Sequence, residues 1–143
     1  PEPAEEGLYL QLTVLGALNL PQSDRFRLCD PYCRVKLSDY EVRETETLQQ
    51  TLAPAWNKEF VYYLGLHDEA KVPGRAKLQI LDRNAAGAGS RMVGCVDVPV
   101  RRMTAEQDRR FRFQLLTADG TPVNGADQRP SEIIVHVVHA HTG

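Results

Sequence analysis

Residues 23–37 read SDRFRLCDPYCRVKL, and the reading of this stretch decides the fold. It opens with two acids, Asp24 and Asp30, separated by Arg25 and Arg27, and closes with Tyr32–Leu37, where Arg34 and Lys36 alternate with Val35. Alternation with a period of two marks a half-buried strand with both basic residues on one face. Asp30–Pro31–Tyr32 fixes the exit from a turn: the ring of Pro31 locks φ, Asp30 can accept hydrogen bonds from neighbouring amides, and Tyr32 anchors the strand. The stretch is therefore a charged turn feeding a strand. Its two aspartates have three readings: a cation site, a solvated turn, or a turn decorated by acid–arginine pairs.

The same pattern extends in both directions. Leu8–Leu18 places Leu8, Leu10, Leu12 and Val14 on one face, with Tyr9, Gln11 and Thr13 on the other. Further strands are predicted at Val42–Leu48, Lys58–Leu64, Arg75–Leu81, Gly94–Val100, Arg110–Leu116 and Glu132–Ala140. With Tyr32–Leu37 this makes eight short strands separated by Asp, Pro, Gly and Asn, the signature of an antiparallel β-sandwich. Thr104–Arg110 is the one candidate helical turn, with Thr104 as its N-cap. Ala118–Pro130, rich in Gly, Asp and Pro, reads as a long exposed hairpin loop. Ala53–Pro54–Ala55 makes another turn, after which Trp56 and Phe60 supply core bulk.

The chain has 143 residues, enough for one domain to bury a core without covalent staples. Residues 1–7 read as a linker stub and 8–141 as the domain, a module of a larger protein. A net charge of -2 argues against a nucleic-acid binder, whose footprint would be strongly basic. Cys29, Cys33 and Cys95 are too few and too odd in number for a disulfide framework, which points to a reducing, cytoplasmic setting. No apolar run reaches the roughly 18 residues a membrane-crossing helix needs, so any membrane is met from its surface.

Several pieces occur in a telling order: Leu20–Pro21, Asp24, Asp30–Pro31–Tyr32, TLAPAWNKEF at 51–60, LQILDRN at 78–84 and MVG at 92–94. Together they resemble the C2 domain, a calcium- and phospholipid-binding β-sandwich family, over nearly the whole chain from about Leu8 to Ala140. The first strand leads directly into the Asp loop and an extra strand closes the C-terminus, which is similar to the family's circularly permuted, type II topology.

The resemblance implies a non-enzymatic, peripheral membrane module. In that family two aspartates of the first loop and up to three acids of the third hold Ca2+. Asp24 and Asp30 match the first-loop pair, Asp82 matches the first acid of the third loop, and Asn84 stands at the next ligand position with an uncharged carbonyl oxygen. The last acidic position falls at Ser90 or Arg91, neither a carboxylate. Calcium takes six to eight oxygens, several of them charged. Each missing or opposing charge costs about 1 kcal/mol in water and several times that in a partly buried loop. With Arg25, Arg27, Arg83 and Arg91 in the same loops, calcium binding is expected to be weak, limited to one ion, or absent.

Those arginines open a second route. An anionic leaflet attracts basic residues at about 1 kcal/mol each, and Arg25, Arg27, Arg83 and Arg91 beside Phe26 and Leu28 form a candidate lipid-binding tip. A polybasic sheet patch is the family's other lipid surface. Arg34 and Lys36 fit it, whereas Glu44 and Glu46 on the adjacent strand replace the basic residues it would need and can simply pair with its cations. The alternative function is a protein-interaction scaffold that has lost lipid binding. His136, His139 and His141 lack the further ligands of a zinc site, and no nucleophile–base arrangement or phosphate loop is readable.

Overall fold

The computed structural model describes residues 7–22, 28–65, 73–85, 89–103 and 110–142. Strands β1 (Gly7–Leu18), β2 (Pro31–Leu37), β3 (Arg43–Glu44), β4 (Ala55–Gly65), β5 (Ala76–Ala85) and β6 (Gly89–Val98) precede a helical turn, α1 (Val100–Met103). Strands β7 (Arg110–Gln114) and β8 (Glu132–Thr142) follow. They form two four-stranded sheets, ordered β4-β1-β8-β7 and β3-β2-β5-β6. Every pairing is antiparallel. The first and last strands are neighbours in the middle of one sheet, and β1 runs straight into the Asp loop, as the permuted arrangement requires.

The core follows from the alternation. Leu10, Leu12 and Val14 of β1 and Ile133, Val135 and Val137 of β8 face Cys33, Val35 and Leu37 of β2 and Leu78 and Ile80 of β5, all fully buried. A fully buried aliphatic side chain contributes about 1.5–3 kcal/mol through removal from water, so the sandwich needs no staple. Trp56 and Phe60 of β4 complete the core, and the Trp56 indole N–H is buried without a hydrogen-bond partner.

Hydrogen bonds between connections gather the loops at one rim. Ala17 N donates to Pro54 O at 3.0 Å, Leu20 N to Leu52 O at 2.9 Å, Thr51 N to Cys29 O at 2.8 Å and Arg83 N to Asp30 O at 2.9 Å. At the first of these contacts β1 presses so closely on the Pro54 turn that a Cβ on Gly16 would lie 2.3 Å from Pro54 O. The segment between β7 and β8 joins the same rim through Asn19, which adopts a left-handed conformation (φ 57°). Its amide donates to Asp127 Oδ1 at 3.0 Å and to Arg129 O at 2.7 Å.

Several boundaries differ from the sequence expectation. The strand expected over Val42–Leu48 is only Arg43–Glu44, because the side chain of Thr45 takes over a ladder position: Cys33 N donates to Thr45 Oγ1 at 2.8 Å. β6 begins at Gly89 rather than Gly94, since the β5–β6 hairpin stays paired out to Ala85 and Gly89. Val100 opens a helical turn instead of ending a strand. Of the helical turn expected at Thr104–Arg110, residues 104–109 lie outside the described residues. The expected exposed loop at Ala118–Pro130 is mostly exposed but structured, with Val123 buried and bridges joining Leu116 to Pro122 and Asn124 to Pro130.

Candidate functional site

Asp30 and Asp82 meet at the rim. Register pairs Pro31 with Asp82, so the aspartate before β2 lies against the end of β5. Both carboxylates are buried, with Asp30 only 5% and Asp82 0% exposed. Asp82 Oδ1 accepts the backbone N–H of Asp30 at 3.1 Å. Asp30 Oδ1 accepts two donors from Gln50, the backbone N–H at 2.8 Å and the side-chain amide at 3.3 Å. The other end of the Gln50 amide accepts from Leu28 N at 3.2 Å. Gln50 thus ties the first connection to the second, in a left-handed backbone conformation (φ 51°) that ordinary side chains adopt infrequently.

Of the other proposed ligands, Asp24 lies outside the described residues, and Asn84 sits on β5 with its side chain likewise outside them. Arg91 is exposed on β6 directly opposite Asp82, where a further acid would be needed. The Tyr32 hydroxyl donates to Ser90 Oγ at 3.1 Å, which places the alternative position against a phenol. A calcium cage needs convergent oxygens with free lone pairs. Here Asp30 Oδ1 and Asp82 Oδ1 already face N–H donors, and among the described residues no three His, Cys, Asp or Glu side chains cluster to hold a metal. The described part of the rim thus brings two carboxylates together, each with one oxygen turned to an N–H donor.

The lipid-binding candidates divide in the same way. Arg25, Phe26 and Arg27 lie outside the described residues, and Leu28 is half-buried. Arg83 is not a free tip residue. Its guanidinium stacks 3.8 Å above the Tyr32 ring, its Nε donates to Thr47 Oγ1 at 3.2 Å, and its Nη2 lies 3.7 Å from Glu44. Arg34 reaches the same glutamate, Nε to Oε2 at 3.0 Å. Two arginines therefore share one carboxylate on the outer face of the sheet, half-exposed, with one positive charge left over. Lys36 is exposed and its register partner is another lysine, Lys77, itself opposite Asp97. The pairing of Glu44 with Arg34 matches the cross-strand pairing expected from the sequence, whereas its sharing with Arg83 and the Gln50 amide clamp were missed. Nothing in the local sequence pattern signals either of these.

His136, His139 and His141 all lie on β8. His139 and His141 pair with Leu10 and Leu8, and His136 with Thr13. Burial pushes the Cys33 thiol far above its ordinary range, with only a small opposing effect from a backbone hydrogen bond involving Gln79.

The C2 domain family matches residues 8–115, more than half of the chain. The chain belongs to the C2 domain family. Among curated proteins it is 31% identical over 91 residues to the E3 ubiquitin-protein ligase Smurf1 of Drosophila melanogaster, covering 63% of this chain but 8% of that protein. It is 26% identical over 117 residues to Rabphilin-1 of Caenorhabditis elegans, covering 79% of this chain and 10% of that one. This domain thus spans about a tenth or less of the length of these relatives. Among solved structures it superposes on a C2 domain of plant Extended Synaptotagmin 1 with a TM-score of 0.74 at 16% identity, covering 98% of this chain and 99% of that one. Human GIVD cytosolic phospholipase A2 matches with a TM-score of 0.68 at 20% identity, covering 97% of this chain and 18% of that one. At these identities the structural matches speak to the fold. C2 domains are commonly membrane- or phospholipid-binding modules and are themselves non-catalytic. No helix among the described residues is long and apolar enough to cross a membrane.

Proposed function

We propose that this C2 domain is a non-enzymatic docking module that brings its parent protein to anionic phospholipid surfaces by charge, with calcium contributing little or nothing. The observation that carries this reading is the contrast at the rim. Asp30 and Asp82 are buried against amide donors, while Arg91 and Arg83 beside them, and Arg34 and Lys36 further along β2, remain at least partly exposed. Each basic residue near an anionic leaflet contributes about 1 kcal/mol. In the sequence Arg25 and Arg27 add two further cations, with Phe26 and Leu28 as the apolar component.

The test is co-sedimentation with phosphatidylserine vesicles in chelator and in calcium, each over a salt series. The expected result is pelleting in chelator, changed less than about twofold by calcium and lost at high salt, as screening requires. Pelleting only with calcium overturns the charge-driven reading, and no pelleting in either condition overturns membrane docking altogether. The last result would leave the second reading, a protein-interaction scaffold. The sharing of Glu44 by Arg34 and Arg83 favours it, since part of the sheet's positive charge is neutralised internally.

A further inference from the structure

The outer faces of the two sheets are built from different chemistry. On the β3-β2-β5-β6 sheet the outward side chains are mainly charged or polar: Glu44, Arg34, Lys36, Lys77, Gln79 and Asp97. A water-facing sheet surface ordinarily looks like this. On the β4-β1-β8-β7 sheet the corresponding rows place Tyr63 beside Tyr9, and run Val61, Gln11 and Val138 in line, with Gln11 between the two valines. The two tyrosine rings lie 5.1 Å apart, and Val61 is 41% exposed, one of two exposed large apolar side chains among the described residues. Beyond the polar row of Thr13 and His136, Ile134 adds one more apolar position toward the rim.

Charge flanks this stripe asymmetrically. One row runs Glu59 on β4, Thr13 on β1, His136 on β8 and Arg110 on β7, with all four residues in register. The two outer members carry opposite charges, and among the described residues neither is in an ion pair. Now consider a second copy rotated by a two-fold axis parallel to the strands, lying between β1 and β8. That operation sets β4 of one copy over β7 of the other and β1 over β8. Glu59 then lies over the partner copy's Arg110, and Arg110 over its Glu59, on the same row. A two-fold axis across the strands would instead stack β7 on β7, bringing Arg110 and Arg112 against themselves, and β4 on β4. Charge thus selects one of the two possible face-to-face arrangements.

We propose that the outer face of the β4-β1-β8-β7 sheet is a self-association surface, on which two copies of this domain pack with their strands aligned and two symmetric Glu59–Arg110 contacts closing the sides. Sheets packed in this aligned manner sit about 10 Å apart, room for the Tyr9, Tyr63, Val61 and Val138 side chains to interdigitate. Strands about 4.8 Å apart and about eight paired residues long give a face of roughly 500 Å2 per copy, or roughly 1,000 Å2 in total, the lower bound for a specific interface. The dimer is accordingly a weak one in solution. Confinement of many copies to one surface would strengthen it without any new contact. The inference stands apart from lipid docking, since none of its residues belongs to the rim or to the basic sheet face.

The experiment is sedimentation velocity of this chain at concentrations up to about 0.5 mM, a range that captures millimolar and tighter association. The expected result is a concentration-dependent monomer–dimer equilibrium in the wild type. Glu59→Arg and Arg110→Glu should each weaken it at least about tenfold, because every reversal spoils two symmetric contacts. The double variant, with the charges exchanged, should recover wild-type association. Circular dichroism and melting temperature confirm that these surface variants fold. A monomeric wild type at the highest concentration overturns the proposal. So does a dimer indifferent to either reversal, or one that the exchange fails to restore.

Discussion

Two groups of charges sit within a few residues of each other along β2 and β5, in opposite physical regimes. At the rim Asp30 and Asp82 are shut away from water and bonded to amide donors. One to four residues further on, Arg34 and Arg83 lie on the outer face and share Glu44, each side chain 36–44% exposed. A buried carboxylate bonded to backbone amides holds connections together, and its loss leaves donors stranded. An exposed ion pair contributes at most about 1 kcal/mol and exchanges readily with an outside anion. The difference separates charges that hold the architecture together from charges that remain open to water.

The sharpest way to break that contrast is Asp82→Ala. It strips the acceptor from the buried N–H of Asp30 and should cost about 3 kcal/mol of stability in urea denaturation, the upper end for a stranded buried donor. A loss below about 0.5 kcal/mol, the low end for a single hydrogen bond, accompanied by weaker vesicle binding would make Asp82 a ligand rather than a strut.

Glu44→Gln probes the other side. It frees Arg34 and Arg83, adds one unit of positive charge, and should raise partition onto phosphatidylserine vesicles about fivefold, the equivalent of about 1 kcal/mol. Its melting temperature should hardly move, because exposed pairs contribute little. Unchanged binding would show that the sheet face does not meet the membrane.

Tyr40→Phe should cost about 1 kcal/mol by removing the hydroxyl that donates to Tyr63 O at 2.6 Å. It should leave vesicle binding alone, since Tyr40 lies away from both charge groups.

The smallest effects concern titration. Asp127 is held below the ordinary carboxylate range, first by the Arg129 backbone N–H and then by the Asn19 amide. Asp119 is held low mainly by the Thr117 hydroxyl, with help from Thr121. A lowered pKa means that the native state favours the ionised form. Its stabilisation is present above the ordinary value of 3.8 and is lost as pH falls through the lowered one. The protection factors of amides in residues 125–131, corrected for intrinsic exchange, should fall only as the pH drops below 3.8. A fall that already begins near neutrality would contradict this. Cys33, buried and with its thiol pushed up, should resist maleimide in the native state while Cys95, half-exposed, reacts.

Much of the architecture was legible because period-two burial is a local code. Leu10, Leu12 and Val14 or Ile133, Val135 and Val137 announce a core face whichever strand they end up facing. The turn at Asp30–Pro31 was equally readable, since proline and aspartate impose their conformations unaided. What failed to show in the sequence depends on partners far along the chain. β3 is short because the hydroxyl of Thr45 replaces a ladder acceptor for Cys33, a choice invisible in the string RETETL. Gln50 clamps Asp30 from 20 residues away, in a backbone conformation that its side-chain type does not advertise. Arg83 looked like one of four equivalent loop cations, yet Tyr32, Thr47 and Glu44 have already engaged it. Sequence assigned the charges correctly and could not say which were already paired.

Because β1 and β8 are ladder neighbours, Gly7 and Thr142 are paired residues, and the polypeptide enters and leaves this domain side by side. That doorway lies at the far end of β1 from the rim, a separation of about 40 Å for a 12-residue strand. Whatever is tethered there hangs on the side away from the loops, like a lamp beneath its ceiling hook. A segment joined at this pole would start about one strand length away from the Asp30–Asp82 rim.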